Sequence, residues 1–325
     1  MPFSINNYYM ATVPTYSVVV PLFNESESLP EFIARTTAVM DALGQPWELI
    51  MVDDGSRDNT AEILLEHATK AENIRPILFA RNFGHQIAVT AGMDYARGTA
   101  IILIDADLQD PPEVIPQLIE KWHEGFEVVY AVRRQRDGES FFKKFTASAF
   151  YRLINRITDI EIPLDTGDFR LMDRKVVDVL NRMREHHRFL RGMSAWVGFR
   201  QIGVSYDRAA RFAGETNYTL GRMIKLALTA ITGFSFFPLQ VSTYFGFLSA
   251  AVALLAIPVV IVTRLMGSQA FTGQATALIA VLFFGGVQLI SLGIVGEYIG
   301  RLYDEVRGRP LYILRNNPDE PVKKS

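Results

Sequence analysis

The run IILIDADLQDPP (101–112) leads four aliphatic residues straight into Asp105, Asp107 and Asp110. A strand with the composition of a buried one thus ends in three carboxylates. Two carboxylates at i and i+2 can hold a divalent cation once the backbone turns out of the strand, and Mg2+ or Mn2+ prefers such oxygen ligands. Mg2+ is usually shared between a few protein oxygens and phosphate oxygens. Without a ligand the cluster would suffer like-charge repulsion and raised pKa values. A metal-bound diphosphate relieves that repulsion, and a nucleotide sugar supplies one. Asp110 directly precedes PPEVIPQLIE, where it fits a helix N-cap, and is left out of the metal site. A second acidic group, DDGSRDNT (53–60), closes another apolar run.

These groups need elements to hold them. YSVVVP, ELIMVDD, IRPILFA, TAIILID and FEVVYAV read as strands, and the segments near 27–43, 58–71, 85–96 and 112–124 as helices. Near-continuous apolar strands alternating with helices imply an α/β fold with a parallel sheet covered on both faces. Ligands of such sheets bind beyond the carboxyl ends of the strands, where both acidic groups fall. The first strand exits through PLFNESES and not through G-x-G-x-x-G, which argues against a dinucleotide-binding domain. The alternation stops after residue 133. Residues 140–158 mix aromatic and aliphatic residues with Lys143, Lys144, Arg152 and Arg156, a pattern that suits either a helix at a membrane interface or an ordinary surface helix. Residues 217–232 read as a helix leading into a bilayer.

The chain has 325 residues, 49% of them hydrophobic, and a mean hydropathy of +0.13. The apolar residues concentrate near the C-terminus. No charged side chain lies between Lys225 and Arg264, or between Arg264 and Glu297. A bilayer core needs about 20 apolar residues in a helix, so two spans are expected, roughly 239–263 and 275–299, within a membrane domain at 234–300. Arg222 and Lys225 precede the first span, Arg301, Arg307, Arg309 and Arg315 follow the second, and only Arg264 lies at the connection. By the positive-inside rule the domain at 1–225 and the tail at 301–325 face the cytoplasm, on a cell membrane crossed more than once. The N-terminus shows no cleavable signal pattern, and the ending NNPDEPVKKS reads as disordered.

Net charge is −2 but unevenly spread: residues 1–132 hold 7 Lys/Arg against 19 Asp/Glu, and residues 133–225 hold 19 against 11. The basic stretch adjoins the membrane, which suits anionic headgroups or a phosphorylated lipid; no nucleic-acid partner is expected. Absence of cysteine excludes disulfides and thiol catalysis. His85 opens a helix after RNFG and is placed to approach a donor, whereas His186 and His187 read as part of a polar surface turn, MREHHRFLRG. Gly285, Gly286, Gly293, Gly296 and Gly300 would permit close helix packing in the membrane, hence a homo-oligomer.

Six motifs occur in order: PLFNE (21–25), VDDGSRDNT (52–60), RNFG (81–84), DADLQDPP (105–112), TGDFRLMD (166–173) and RFAGET (211–216). Together with the two spans they resemble the inverting family 2 glycosyltransferases of GT-A fold. Within these, the chain is similar to the polyprenyl-phosphate glycosyltransferases, of which the bactoprenyl glucosyltransferases and dolichyl-phosphate mannose synthase are examples, and most to the former. The resemblance implies a GT-A domain followed by two transmembrane helices. It implies transfer of a sugar, glucose from UDP-glucose in the first instance, to a polyprenyl phosphate, with Mg2+ or Mn2+ as cofactor. On that reading Pro21, Phe23, Glu25, Asp53, Asp54, Asp105, Ala106 and Arg211 bind the nucleotide sugar, and Asp105, Asp107 and Gln109 form the metal site. Arg133, Arg136 and Arg170 meet the acceptor phosphate, and catalysis rests on Asp168 and Asp107. Asp168 either accepts a proton or orients Arg170 and Arg133. One departure stands out: GETNY replaces the family's G-x-[ST]-K-[YW], so Asn217 removes a cation from the leaving-group side. Another donor such as GDP-mannose, or a scaffold that binds nucleotide sugars without turnover, are the alternatives. Polymer synthases and D-x-D-x-[TV] phosphatases fit less well, because the chain lacks Q-x-x-R-W and Leu108 follows the acidic pair.

Overall fold

The computed structural model describes residues 13–134, 166–207, 232–233, 235–266 and 274–319. The expected helix at 140–158, nearly all of that at 217–232, and Arg136, Arg211 and Asn217 lie outside these residues. Two compact units form. One comprises Met1–Tyr151, Ile160–Thr219 and Pro310–Ser325, and the other Arg152–Asp159 and Leu220–Arg309.

The first unit is built on β1 (Tyr16–Leu22), β2 (Trp47–Asp53), β3 (Ile74–Leu78), β4 (Ala100–Leu103), β5 (Val128–Arg133), β6 (Thr166–Asp173) and β7 (Gln201–Tyr206). They make one sheet in the order β3-β2-β1-β4-β6-β5-β7. Helices α1 (Leu29–Ala42), α2 (Thr60–Lys70), α3 (His85–Tyr95), α4 (Ile115–His123), α5 (Arg174–Arg182) and α6 (Leu190–Trp196) connect them. Every residue of β1 is buried, as a strand covered on both faces requires. Val18 and Val20 join the main core with Phe32, Met40, Leu118 and Phe169. Val19 points the other way, onto α3, so closely that a Cβ on Gly92 would lie 2.2 Å from its Cγ1. Helix α1 starts with Pro in its first turn and buries Leu29, Phe32, Ile33, Thr36 and Met40, the three-to-four spacing of one helical face. Helix α5 is capped by Asp173, whose carboxylate accepts from the Lys175 amide at 3.0 Å.

The five expected strands form, and the sheet is parallel except at β6, which enters antiparallel between β4 and β5. Its register sets the site. Leu103 of β4 pairs with Arg170, and the two chains run in opposite directions, so Asp105, two residues past Leu103, comes level with Asp168, two residues before Arg170. On the far side Val132 pairs with Thr166 after an irregularity at Tyr130, bringing Arg133 beside Gly167.

The second unit contains α7 (Phe237–Leu265) and α8 (Gln274–Val306). Each is long and apolar enough to cross a membrane, over Phe237–Thr263 and Ala280–Val306, and leaves large side chains such as Phe247, Leu254, Leu282 and Leu289 exposed. These helices overrun the expected spans at both ends, and the last turns of α8 carry Arg301, Asp304 and Glu305 beyond the apolar stretch. Of the ending NNPDEPVKKS, expected to be disordered, residues 316–319 differ from expectation and the remainder lies outside the described residues. Far from being disordered, Asn316 and Asp319 are hydrogen-bonded to the first unit, through Leu78, Pro76, Arg75 and Arg97.

Candidate active site

Three loops at the carboxyl ends of β1, β2 and β3 interlock. The Asn24 amide donates to Ser56 Oγ (2.9 Å), the Arg57 amide to Asn24 Oδ1 (2.9 Å), and the Glu25 amide to Thr60 Oγ1 (2.9 Å). Asn24 adopts a φ of 58°, in the left-handed region that Asn tolerates best among non-glycine residues. Asp53 accepts weakly from the Ser56 amide, at 3.3 Å. Asp54 accepts from the amides of Phe83 (2.6 Å) and Gly84 (2.9 Å), binding the β3 exit to the β2 exit. Burial raises the pKa of both carboxyls, and those amides partly offset the rise. Between the two exits sits Gly55, with a φ of +68°. A Cβ there would lie 2.6 Å from the Arg81 carbonyl carbon and 2.7 Å from the Asn82 nitrogen. Gly55→Ala is therefore expected to destabilise the first unit by about 1–3 kcal/mol, because backbone and not a flexible side chain must move; the denaturant midpoint reads this out.

Of the residues expected at the nucleotide, Pro21 is buried within β1, Phe23 is 44% exposed, and Glu25 accepts from Ser28 Oγ at 2.6 Å. Ala106 is buried.

The loop after β4 carries the acidic pair. Leu108 is buried yet has a φ of 58°, an uncommon conformation for a residue with a Cβ. That turn brings the Gln109 amide onto Asp107 Oδ1 at 3.1 Å. Such strain persists where surrounding structure fixes it and clusters at functional sites. Burial, together with Asp168, Asp110 and Asp107, raises the Asp105 carboxyl to about 6 against the opposing pull of His85. The pair fits a divalent cation in donor chemistry: both are carboxylates, and the neighbouring carboxylates Asp107, Asp110 and Asp168 all push the Asp105 carboxyl upward. Among the described residues no group of three or more His, Cys, Asp or Glu converges into a protein-only cage. A cation here would have to share its coordination with phosphate oxygens or water.

Facing this loop, β6 presents Asp168. Its carboxylate accepts from Arg191 Nε (2.8 Å) and Gln86 Nε2 (3.0 Å) and pairs with His85 Nε2 (3.1 Å). His85 also stands 3.7 Å from Asp105 Oδ1, so one imidazole spans the two strand ends. Burial opposes ionisation of Asp168, but Arg191, His85 and Arg170 outweigh it and hold the carboxyl well below the usual range. Desolvation likewise opposes a charged His85, and Asp105 and Asp168 outweigh it, raising the imidazole to about 9. Near neutral pH the centre therefore holds an imidazolium between carboxylates. Gln86 is fixed in turn, since its Oε1 accepts from the Leu190 amide at 3.0 Å.

Arg133 lies at the rim, 31% exposed, with Nη2 3.7 Å from Asp110 and Nε donating to Tyr206 Oη at 3.3 Å. Asp110, 1% exposed, also accepts from the Tyr206 hydroxyl. It is thus a buried anchor for Arg133 and not the expected cap; the following 3-10 turn begins after Pro111 with no side-chain cap. Arg170, only 3% exposed, donates to Ser194 Oγ (2.5 Å) and the Gly167 carbonyl (3.1 Å), and its guanidinium lies inside the fold, not at the rim. Within the run expected as a surface turn, His186 and His187 do sit at a bend on the surface, but the residues that follow turn inward. Arg188, Phe189 and Leu190 are buried, and α6 delivers Arg191 to Asp168. Arg191 and Gln86 are absent from the sequence-based site; the apolar FL pair between two arginines is the signal that this segment turns inward.

An α/β sheet with an acidic strand-end crevice of this kind, followed by two apolar helices, is the build of a GT-A glycosyltransferase. Residues 17–180 match the glycosyl transferase family 2 model, and residues 237–302 match the GtrB C-terminal hairpin. The chain belongs to glycosyltransferase family 2. It is 52% identical to the uncharacterized glycosyltransferase YkcC of Bacillus subtilis (strain 168), over 93% of this chain and 94% of that one. It is 46% identical to the uncharacterized glycosyltransferase sll0501 of Synechocystis sp. (strain ATCC 27184 / PCC 6803 / Kazusa), over 92% and 94%. To the prophage bactoprenol glucosyl transferase homolog of Escherichia coli (strain K12) it is 42% identical, over 92% and 98%.

Proposed function

We propose that the protein transfers glucose from UDP-glucose to a polyprenyl phosphate at the cytoplasmic face of a membrane, with inversion at the anomeric carbon. The observation that carries this reading is the bridge at the centre of the crevice: His85 joins Asp105 of the cation pair (3.7 Å) to Asp168 (3.1 Å), so a diphosphate bound at one meets an acceptor at the other. The relatives named bactoprenol glucosyl transferase support the acceptor class.

Asp105 and Asp107, with Gln109, would hold Mg2+ or Mn2+, which supplies Lewis-acid stabilisation of the departing nucleoside diphosphate. Asp53, with the exposed Phe23 and the half-buried Glu25 of the β1 exit, reads the nucleoside, while Asp54 mainly shapes the loop that meets it. Arg133, anchored by Asp110 and Tyr206, presents its guanidinium to the acceptor phosphate, a contact for which planar bidentate donors are suited. Arg136 and Arg211 lie outside the described residues, and the motifs alone assign them to the acceptor and donor phosphates. Arg170 supports Asp168 from within. A phosphate oxygen attacks the anomeric carbon in line, the new C–O bond forms as the bond to the diphosphate oxygen breaks, and the electron pair leaves with the diphosphate. The acceptor is a phosphate monoester with a second pKa of about 6, so it arrives largely as an anion. A strong base is then unnecessary, and the low pKa of Asp168 favours its role as an anchor for Arg191 and His85.

Orientation is supported by the chain path. Segment 310–319 is bonded to the first unit, so the residues before α7 and after α8 lie in one compartment and the number of crossings between them is even. The basic flanks assign that compartment to the cytoplasm. Self-association stays part of the proposal: among the described residues, and apart from the helix's own backbone, nothing lies within 4 Å of where a Cβ would sit on Gly285, Gly286, Gly293, Gly296 or Gly300.

Incubating the purified protein with radiolabelled UDP-glucose, a polyprenyl phosphate and Mg2+ should give label in the organic phase. No labelled lipid from any of a panel of UDP- and GDP-sugars would overturn the reading in favour of a non-catalytic binder. A finer test uses Gly167, where a Cβ would come 2.7 Å from Arg133 Nη2. Gly167→Ala displaces only the end of a flexible side chain. It is expected to change stability by under about 0.5 kcal/mol while raising the acceptor KM by about tenfold, with the donor KM unchanged.

A further inference from the structure

Residues 311–319 lie along β3, an edge strand whose outer side would otherwise offer unpaired amides and carbonyls. The Ala80 amide donates to the Ile313 carbonyl (2.9 Å), the Arg315 amide to the Leu78 carbonyl (2.7 Å), and Phe79 and Leu314 form an antiparallel bridge. Asn316 serves as a side-chain substitute for a strand partner: its Oδ1 accepts from the Leu78 amide (2.7 Å) and its Nδ2 donates to the Pro76 carbonyl (2.9 Å). Asp319 takes Arg97 (2.7 Å) and Arg75 (3.2 Å) at the far end. Tyr312 stacks on Phe79, with ring centroids 5.3 Å apart and planes 12° apart, and its hydroxyl donates to Asp94 Oδ2 at 2.8 Å.

The contacts continue inward. Phe79 meets Phe83 edge-on at 5.5 Å, and the Arg81 guanidinium lies 3.9 Å from the Phe83 ring centroid. Phe83 and Gly84 give their amides to Asp54, and His85 follows at once as the first residue of α3. The strap thus grips one side of the short connection whose other side holds Asp54 and whose end delivers His85 to Asp105 and Asp168.

We infer that Leu311–Asp319 is a positioning clamp for the donor side of the site, acting through Phe79 and Phe83 on Asp54 and His85. The clamp stands on these contacts alone; its effect on nucleotide binding rests on the function proposed above. Isolated strand edges bind extended segments through main-chain bonds plus alternate side-chain anchors, and here Tyr312 and Asn316 are the anchors. An ordinary protective cover for the edge would need no ring stack reaching the Asp54 loop.

The test uses the full chain in detergent, with Tyr312→Ala/Asn316→Ala, and reads amide hydrogen exchange and UDP binding. The Phe83 and Gly84 amides are expected to lose protection by about tenfold, with the UDP dissociation constant rising by a similar factor. Tyr312→Phe keeps the stacked ring and is expected to retain most of both. If the Arg315 amide exchanges faster while Phe83 and Gly84 stay as protected as in the parent, the clamp is overturned. Loss of loop protection with unchanged UDP affinity would uphold the clamp and instead overturn the assignment of this loop to the donor. Should the double variant not fold, Tyr312→Ala alone, which leaves every main-chain bond of the strap in place, gives the same readout.

Discussion

Asp107→Ala is expected to lower the rate of sugar transfer by about a thousandfold or more at saturating donor, the equivalent of about 4 kcal/mol of lost leaving-group stabilisation. The fold should survive the change. Asp107 is partly exposed and accepts from the Gln109 amide at 3.1 Å, and the buried Leu108 that turns the loop is untouched. The discriminating measurement is a cycle with chelator. Removing the metal from the parent and removing the carboxylate should each abolish the same stabilisation, so that chelating the variant costs little more. Independent effects that simply multiply would mean that Asp107 acts by something other than holding a cation. Parental rates in the variant would remove the acidic pair from the reaction altogether.

Why this pair was legible in sequence and its partners were not follows from where the information lies. Strands β1, β2 and β4 announce themselves because both their faces are buried and each carries an unbroken apolar run, Val18–Leu22, Leu49–Val52 and Ala100–Leu103. A carboxylate just past such a strand must sit in the crevice. Strand β6 reads poorly, since Gly167, Asp168, Arg170 and Asp173 occupy four of its eight positions. Their polar groups are tolerated in mid-sheet only because Arg191, Gln86, Ser194 and Trp122 meet them, and those partners come from other elements. Local preference fails where the site imposes its own demands. Motif comparison picks out Asp168 without saying what it touches. Its place level with Asp105 depends on the antiparallel register of β6 against β4, a tertiary fact with no signature in either segment. Arg191 went unread for the same reason. In MREHHRFLRG it looks like one more solvated charge, and only the burial of Phe189 and Leu190 turns it inward. The tail is the extreme case. Asn316 bonds to the main chain of Leu78, 238 residues away, and the composition of NNPDEP gives no hint that an edge strand awaits it.

Asp168→Asn is expected to cut kcat by about a hundredfold or more while leaving the UDP dissociation constant near its parental value. The substitution is nearly isosteric, so the effect is electrostatic: Arg191 and His85 lose the charge that holds them, and an amide nitrogen is set against their own donors. How the deficit varies with pH separates the two roles open to this carboxylate. A base would matter most where the acceptor still carries a proton, so the deficit would widen as pH falls through about 6, the second pKa of a phosphate monoester. An anchor would matter equally for both forms, and the deficit would stay flat. The structure favours the flat profile. A carboxyl held well below its usual pKa by Arg191, His85 and Arg170 is a weak proton acceptor, and its oxygens already engage Arg191 at 2.8 Å, Gln86 at 3.0 Å and His85 at 3.1 Å. Arg191→Lys should then recover more activity than Arg191→Met, since Lys keeps the charge but not the Nε geometry. A deficit that grows steeply below pH 6 would instead give Asp168 the proton, and would require one of its present donors to release it when the acceptor arrives.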